Sequence, residues 1–343
     1  MITKKKYGTT AKTNEQVDLY TLQAGSYSVS ILTYGGAITS LLVPDKQGNI
    51  GDVVLGYGSL AEYEQSTTYF GFLIGRFANR IRGGQFSIEG KDYQVPRNDN
   101  GINTLHGGPE GLHSKVWDAT TSTAGDSPTL HLSLVSADGD MGFPGNLTVN
   151  VDYTLHQQGK LEIAYRATTD QATPVNLTNH SYFNLAGDGQ DIRNHTLQLD
   201  CDAYIPVDAT LIPTGEVLPV VNTPFDFTKA KRIGEDLEAA GGYDHCMVLS
   251  DRSEHLRRCA SVTEPTTGRT MAVSTTLPGV QFYTGNFLNG SDISNNNVPY
   301  NKHAGFCLET QHFPDAMNHA NFPNCILKPT ETYKHTTVFE FNA

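Results

Sequence analysis

Apolar and polar residues alternate with a period of two along much of this chain. In LTVNVDYTL (147–155), Leu147, Val149, Val151, Tyr153 and Leu155 fall on one face, and Thr148, Asn150, Asp152 and Thr154 on the other. HQQGK (156–160) supplies a turn, and LEIAYRA (161–167) alternates again through Leu161, Ile163 and Tyr165. Successive strand side chains point to opposite faces, so the pair predicts an antiparallel hairpin with one buried and one wet face. SVSIL (28–32), TLHLSLV (129–135), TLQLD (196–200), TMAVSTT (270–276) and TVFEF (337–341) carry the same pattern. Helical periodicity is thin. LAEYEQS (60–66) and KRIGEDLEAA (231–240) are the two short helices expected, the second stopped by Gly241-Gly242. No Pro/Ser-rich linker, low-complexity run or fixed repeat divides the chain. The expectation is one all-β domain over residues 1–343, a large antiparallel β-sandwich with few short helices.

Charge narrows the partners. The chain has 36 acidic against 24 basic residues, a net −12, which repels phosphate backbones and anionic membrane surfaces. Neither nucleic acid nor a membrane is expected as a partner. The one basic run, Lys4-Lys5-Lys6, reads as a solvated tail. No stretch approaches the ~20 apolar residues of a spanning helix. MITKKKYGTT lacks the apolar core of a signal peptide. Cys201, Cys246, Cys259, Cys307 and Cys325 are odd in number and contain no C-x-x-C, so free thiols and a cytoplasmic location are expected. The N-x-[ST] sequons at Asn146, Asn176, Asn194 and Asn289 are then chance matches.

Chemistry-bearing residues gather in five segments expected between the strands: GRFANRI (75–81), NTLHGGPEG (103–111), TNHSYFNL (178–185), GYDHCMVL (242–249) and LETQHFPDA (308–316). Singly, each has a plain structural explanation: a turn histidine, a buried arginine, an edge glutamate. No metal is expected. His106 and His113, and His312 and His319, are each seven apart and lack the i, i+4 spacing of a hydrolytic zinc site. Asp138 and Asp140 in DGDMG lack the downstream Glu of a calcium loop. No G-x-S-x-G, P-loop or dinucleotide fingerprint is present.

In series, however, NTLHGG, TNHSYFNLAG, GYDH, PGVQFYTGNFL and LETQHFPDA resemble the aldose 1-epimerases, or galactose mutarotases. DGDMGFPGN (138–146) and AYIPVDATLIPTGE (203–216) extend the resemblance, which runs from about Leu32 to Lys328. It implies a large β-sandwich with an open cleft, an aldose as small-molecule substrate, no cofactor and no metal. By the same resemblance Glu309 stands at the general base and His180 at the general acid. Asn79, Arg80, His106, Asp244 and Gln281 fall on sugar-binding positions, and Ser181 and Tyr182 lie in the binding segment. A monomer or homodimer is the expected assembly.

The chemistry suits these residues. Exchanging anomers at C1 needs a base to take the O1 proton and an acid to protonate the ring oxygen. The C1–O5 bond opens, C1 turns about C1–C2, and closure reverses both transfers. Glu, with an ordinary pKa of about 4.3, is a ready base. His, at about 6.5, becomes an acid after a modest upward shift, expected here from a nearby carboxylate such as Glu309 or Asp244. Two alternatives stay open: a non-catalytic sugar-binding sandwich, and a glycoside hydrolase using Asp244 and Glu309, which would leave His106 and His180 without a task.

Overall fold

A computed structural model describes residues 1–187 and 189–343. The alternating segments are strands. Leu147–His156 and Lys160–Thr169 pair antiparallel from Leu147 opposite Thr169 to His156 opposite Lys160. Leu147, Val149, Val151, Tyr153, Leu155, Leu161, Ile163 and Tyr165 are all buried, as the period of two requires. Each such side chain contributes about 1.5–3 kcal/mol when taken out of water.

This hairpin belongs to a nine-stranded antiparallel sheet that also contains Ser127–Ser136, Tyr333–Asn342, Thr270–Thr275 and Arg257–Thr263. Two five-stranded antiparallel sheets pack against it. The first runs through Ile2–Thr9, Gln16–Ala24, Tyr27–Leu32, Ile38–Pro44 and Ile50–Asp52. The second includes Cys201–Ile205, Asp244–Leu249, Gly279–Tyr283 and Cys307–Gln311. Val29 and Ile31 of the first sheet and Met247, Phe282 and Leu308 of the second join Val149, Ile163 and Phe339 of the large sheet in one core. The architecture is the expected all-β sandwich.

Two sequence expectations change. Residues 231–240 are not a helix: Lys231–Arg232 is an edge strand on Thr196–Leu199, and turns follow. Ile233 N–H donates to His195 O and Gly234 N–H to Arg193 O, which holds the backbone extended where the helix would begin. Leu60–Gln65 is helical, with the Ser59 side chain accepting from Glu62 N–H at its start. The lysine run is not a tail. It lies in the edge strand Ile2–Thr9, with Lys4 Nζ 2.9 Å from Asp18, and lysines on an edge discourage pairing with another chain. All five cysteines are buried and free. Among the described residues no helix is long and apolar enough to cross a membrane.

Candidate active site

Strand register delivers the carboxylates. Cys246 lies opposite Gln281, and Gln281 opposite Glu309; Asp244 lies opposite Tyr283, and Tyr283 opposite Cys307. Val280, Phe282 and Leu308 enter the core, and Thr310 Oγ1 meets Thr337 Oγ1 of the large sheet at 2.5 Å. Alternation therefore turns Gln281 and Glu309 to the opposite face, where a cleft opens. Gly279–Tyr283 and Cys307–Gln311 are buried along their whole length. Asp244 and Glu309 thus sit on strands, not on the loops the sequence suggested, and Gln281 lies on the strand between them. A strand covered on both faces loses its alternating signature.

The histidines arrive from two other segments. His180 follows Thr178–Asn179, which pairs with Leu73–Ile74. Its N–H donates to Phe72 O at 2.9 Å and its carbonyl accepts from Gly71 N–H at 3.0 Å. Arg80–Ile81 pairs with Thr104–Leu105 and brings Asn79 beside His106. Asn79 N–H donates to His106 Nδ1 at 3.2 Å, and His106 N–H returns a bond to Asn79 O. Both residues have left-handed backbones, with φ of 65° and 53°. Such strain is held in place by its surroundings and is common at functional sites.

The cleft holds about 100 Å³ of space and opens to solvent. Asn79, Arg80, His106, His180, Tyr182, Asp244 and Glu309 line it together. Gln281 stands behind them and donates to Asp244 Oδ1 at 2.7 Å. Ser181 is buried, with its hydroxyl donated to Asn179 Oδ1 at 2.7 Å. Asp99 escaped sequence reasoning. It accepts from Arg80 Nε at 2.7 Å, while Arg80 Nη1 stays 3.9 Å from Asp244. Nothing in RNDNGIN (97–103) marks it, because the pairing spans a loop.

Glu309 and His180 are the central pair. Glu309 Oε1 lies 3.6 Å from His180 Nε2, too far for a direct hydrogen bond. Glu309 Oε2 is buried with no partner, an unmade bond in a native site that calls for a ligand or a reaction. Burial, helped by the Asp244 charge and opposed by Arg80, pushes the Glu309 pKa well above the carboxylate range. Burial pushes His180 down to about 4. That reverses the upward shift expected from the sequence. Taking charges out of water opposes their attraction across this gap, and burial disfavours the charged form of each group.

The same desolvation acts on other histidines. His106, His113, His195, His245, His312 and His335 all have lowered pKa values, with burial the largest cause in each. A depressed imidazole pKa stabilises the fold above the unfolded value of 6.5 and loses that contribution as pH falls. The unfolded chain binds protons that the folded chain refuses. The Tm is therefore expected to fall steeply between pH 6.5 and about 4, where His113, His180, His195 and His335 titrate in the fold. Calorimetry across that interval checks this, and a flat Tm contradicts it.

His106, His180 and Glu309 each bring a potential metal-ligand atom within 4.8 Å of the others. The Asn79 N–H occupies the Nδ1 lone pair of His106, so the neutral ring carries its proton on Nε2. His106 therefore presents a donor to the cleft, suited to a sugar oxygen rather than to a cation.

The sequence model of the family described as aldose 1-epimerase matches residues 18–340. The chain belongs to the aldose 1-epimerase family. Among curated proteins it is 46% identical to the galactose mutarotase of Sus scrofa, over 99% of this chain and 98% of that one. It is 38% identical to the aldose 1-epimerase of Escherichia coli K12, over 92% of each. Among solved structures, a galactose 1-epimerase from Lactobacillus acidophilus superposes with a TM-score of 0.87 at 29% identity, covering 100% of this chain and 98% of that one. A GalM/aldose epimerase homologue from C. elegans also gives 0.87, at 28% identity over 94% and 98%. For an aldose 1-epimerase, a cleft of acid, base and hydroxyl-binding groups is the chemistry required.

Proposed function

We propose that this aldose 1-epimerase interconverts the α and β anomers of free hexoses such as galactose and glucose, acting as a single domain with no cofactor. The observation that carries the reading is the buried Glu309–His180 pair, 3.6 Å apart in the wall of the cleft, with one carboxylate oxygen buried and unpartnered. Glu309 takes the proton from O1 while His180 gives one to O5. The C1–O5 bond breaks, C1 rotates, and ring closure on the other face returns both protons.

The lowered His180 and raised Glu309 pKa values fit this cycle. Ring opening converts a charged Glu309/His180 pair into a neutral one without changing the total proton count. Burial favours the neutral member, which is the charge state at the open-chain stage. The site thus stabilises what an uncatalysed sugar reaches with difficulty, and sugar binding restores hydrogen-bond partners to the charged start.

Asp244 accepts from sugar hydroxyls away from C1, oriented by Gln281, and Arg80 and Asn79 supply donors. Asp244→Asn is expected to raise KM by about 10-fold or more while kcat falls less, because it removes binding shared by ground and transition states. Steady-state rates over a galactose series check the split. A monomer or homodimer in the cytoplasm, acting on small sugars, is the setting we propose. Exchange NMR on equilibrated galactose tests the function: the protein must produce cross-peaks between the α and β H1 signals that buffer alone does not. Their absence on both galactose and glucose would favour a sugar-binding module.

A further inference from the structure

Tyr69 lies in TTYFGF (67–72), a stretch with none of the sequence signals used above, yet its ring lines the cleft. Its φ is 60°. Side-chain-bearing residues avoid this left-handed region because Cβ crowds the following carbonyl. Asn79 offsets the same strain by accepting from Arg80 N–H at its Oδ1. A tyrosine ring cannot do that, so the turn is held by its backbone bonds and by what the ring touches.

The turn is tied to the peptide of His180. Phe72 N–H closes it onto Tyr69 O at 3.2 Å, Gly71 N–H donates to His180 O, and His180 N–H donates to Phe72 O. Gly71 is needed there: its φ is +71°, and a Cβ would meet Ile38 O at 2.0 Å. From this anchored turn the Tyr69 ring reaches three imidazoles. It meets His106 edge-on at 4.7 Å and His113 edge-on at 5.0 Å. It lies 31° from parallel to His180 at 5.9 Å. Tyr182 stacks on His180 at 5.1 Å.

We propose that Tyr69 is a positioning residue whose ring holds the His180 and His106 imidazoles in register for proton transfer and keeps water from them. The proposal rests on the anomer-exchange reading. The groups facing His180 are Glu309 and Cys307 from one strand, Tyr182, His106, His113 and Tyr69.

Tyr69→Gly and Tyr69→Phe test this together. Glycine accepts φ of +60°, so the turn stays and only the ring is lost. In Tyr69→Gly, kcat is expected to fall about 10- to 100-fold with a much smaller change in KM. The His180 imidazole, followed by NMR, should titrate at higher pH than in the wild type, because water reaches a ring whose pKa is lowered first of all by burial. Tyr69→Phe should keep the wild-type titration and kcat within about threefold, since its ring presents the same face. Wild-type kcat and titration in the glycine variant would overturn the proposal. A phenylalanine variant as impaired as the glycine one would also overturn it, by assigning the role to the hydroxyl. Tyr69→Asn, which tolerates the left-handed region, replaces the glycine variant if that fails to fold. If the wild type exchanged no anomers, the functional reading would fall, while the His180 titration would still decide the role of Tyr69.

Discussion

Glu309→Gln is expected to lower kcat for anomer exchange by about 10²–10⁴-fold, with KM for galactose little changed. The amide keeps the shape of the side chain and its hydrogen bonding to a sugar, but it cannot take the O1 proton. Stability should move the other way. The Glu309 pKa is raised in the fold, so its contribution is lost as pH rises past the unfolded value of 4.5. At pH 8 the wild type carries the penalty of burial and of Asp244 repulsion, less what Arg80 relieves, and the glutamine does not. The variant should therefore melt no lower than the wild type at pH 8. A fall in kcat accompanied by a lower Tm at pH 8 would instead mean damage to the fold.

His180→Asn should be as severe, again by about 10²–10⁴-fold in kcat, because His180 is the proposed proton donor to O5. His106 is the nearest imidazole, at 5.1 Å between ring centroids, but its Nε2–H is that of a neutral ring and a far weaker acid. The two substitutions are not independent. Base and acid act in one concerted exchange, so the double variant should be only slightly slower than either single one. Multiplying effects would mean that each group accelerates a separate step. The histidine variant also separates two chemistries. Glycoside hydrolysis through Asp244 and Glu309 has no need of His180, so retained activity on an aryl galactoside would revive that alternative.

The legible part of this structure is the part with one wet face. Strands such as Leu147–His156 bury five residues and leave their neighbours half-buried or exposed in strict alternation, and the sequence shows it. The catalytic sheet was harder. Cys307–Gln311 is buried on both faces and reads C-L-E-T-Q, which has no period at all. Its functional residues looked like loop residues for that reason. They were assigned roles only because LETQHFPDA and TNHSYFNL resemble a family, while Tyr69 and Asp99 belong to no such motif. What alignment of types could not convey is electrostatics. Proximity of Glu309 to His180 suggests a raised imidazole pKa. Only the observed burial of both groups shows that desolvation wins and the sign reverses. The failed helix at 231–240 has a similar origin, since its apolar spacing was helical but two backbone bonds to residues 193 and 195 decided the conformation.

Polarimetry of freshly dissolved α-D-galactose tests the central claim most directly, with wild type and Glu309→Gln followed side by side. The account predicts that the wild type brings the rotation to equilibrium far faster than buffer and that the variant does so barely faster than buffer. Equal acceleration by both proteins would contradict the assignment of Glu309 as the base, and no acceleration by either would contradict the catalytic reading itself.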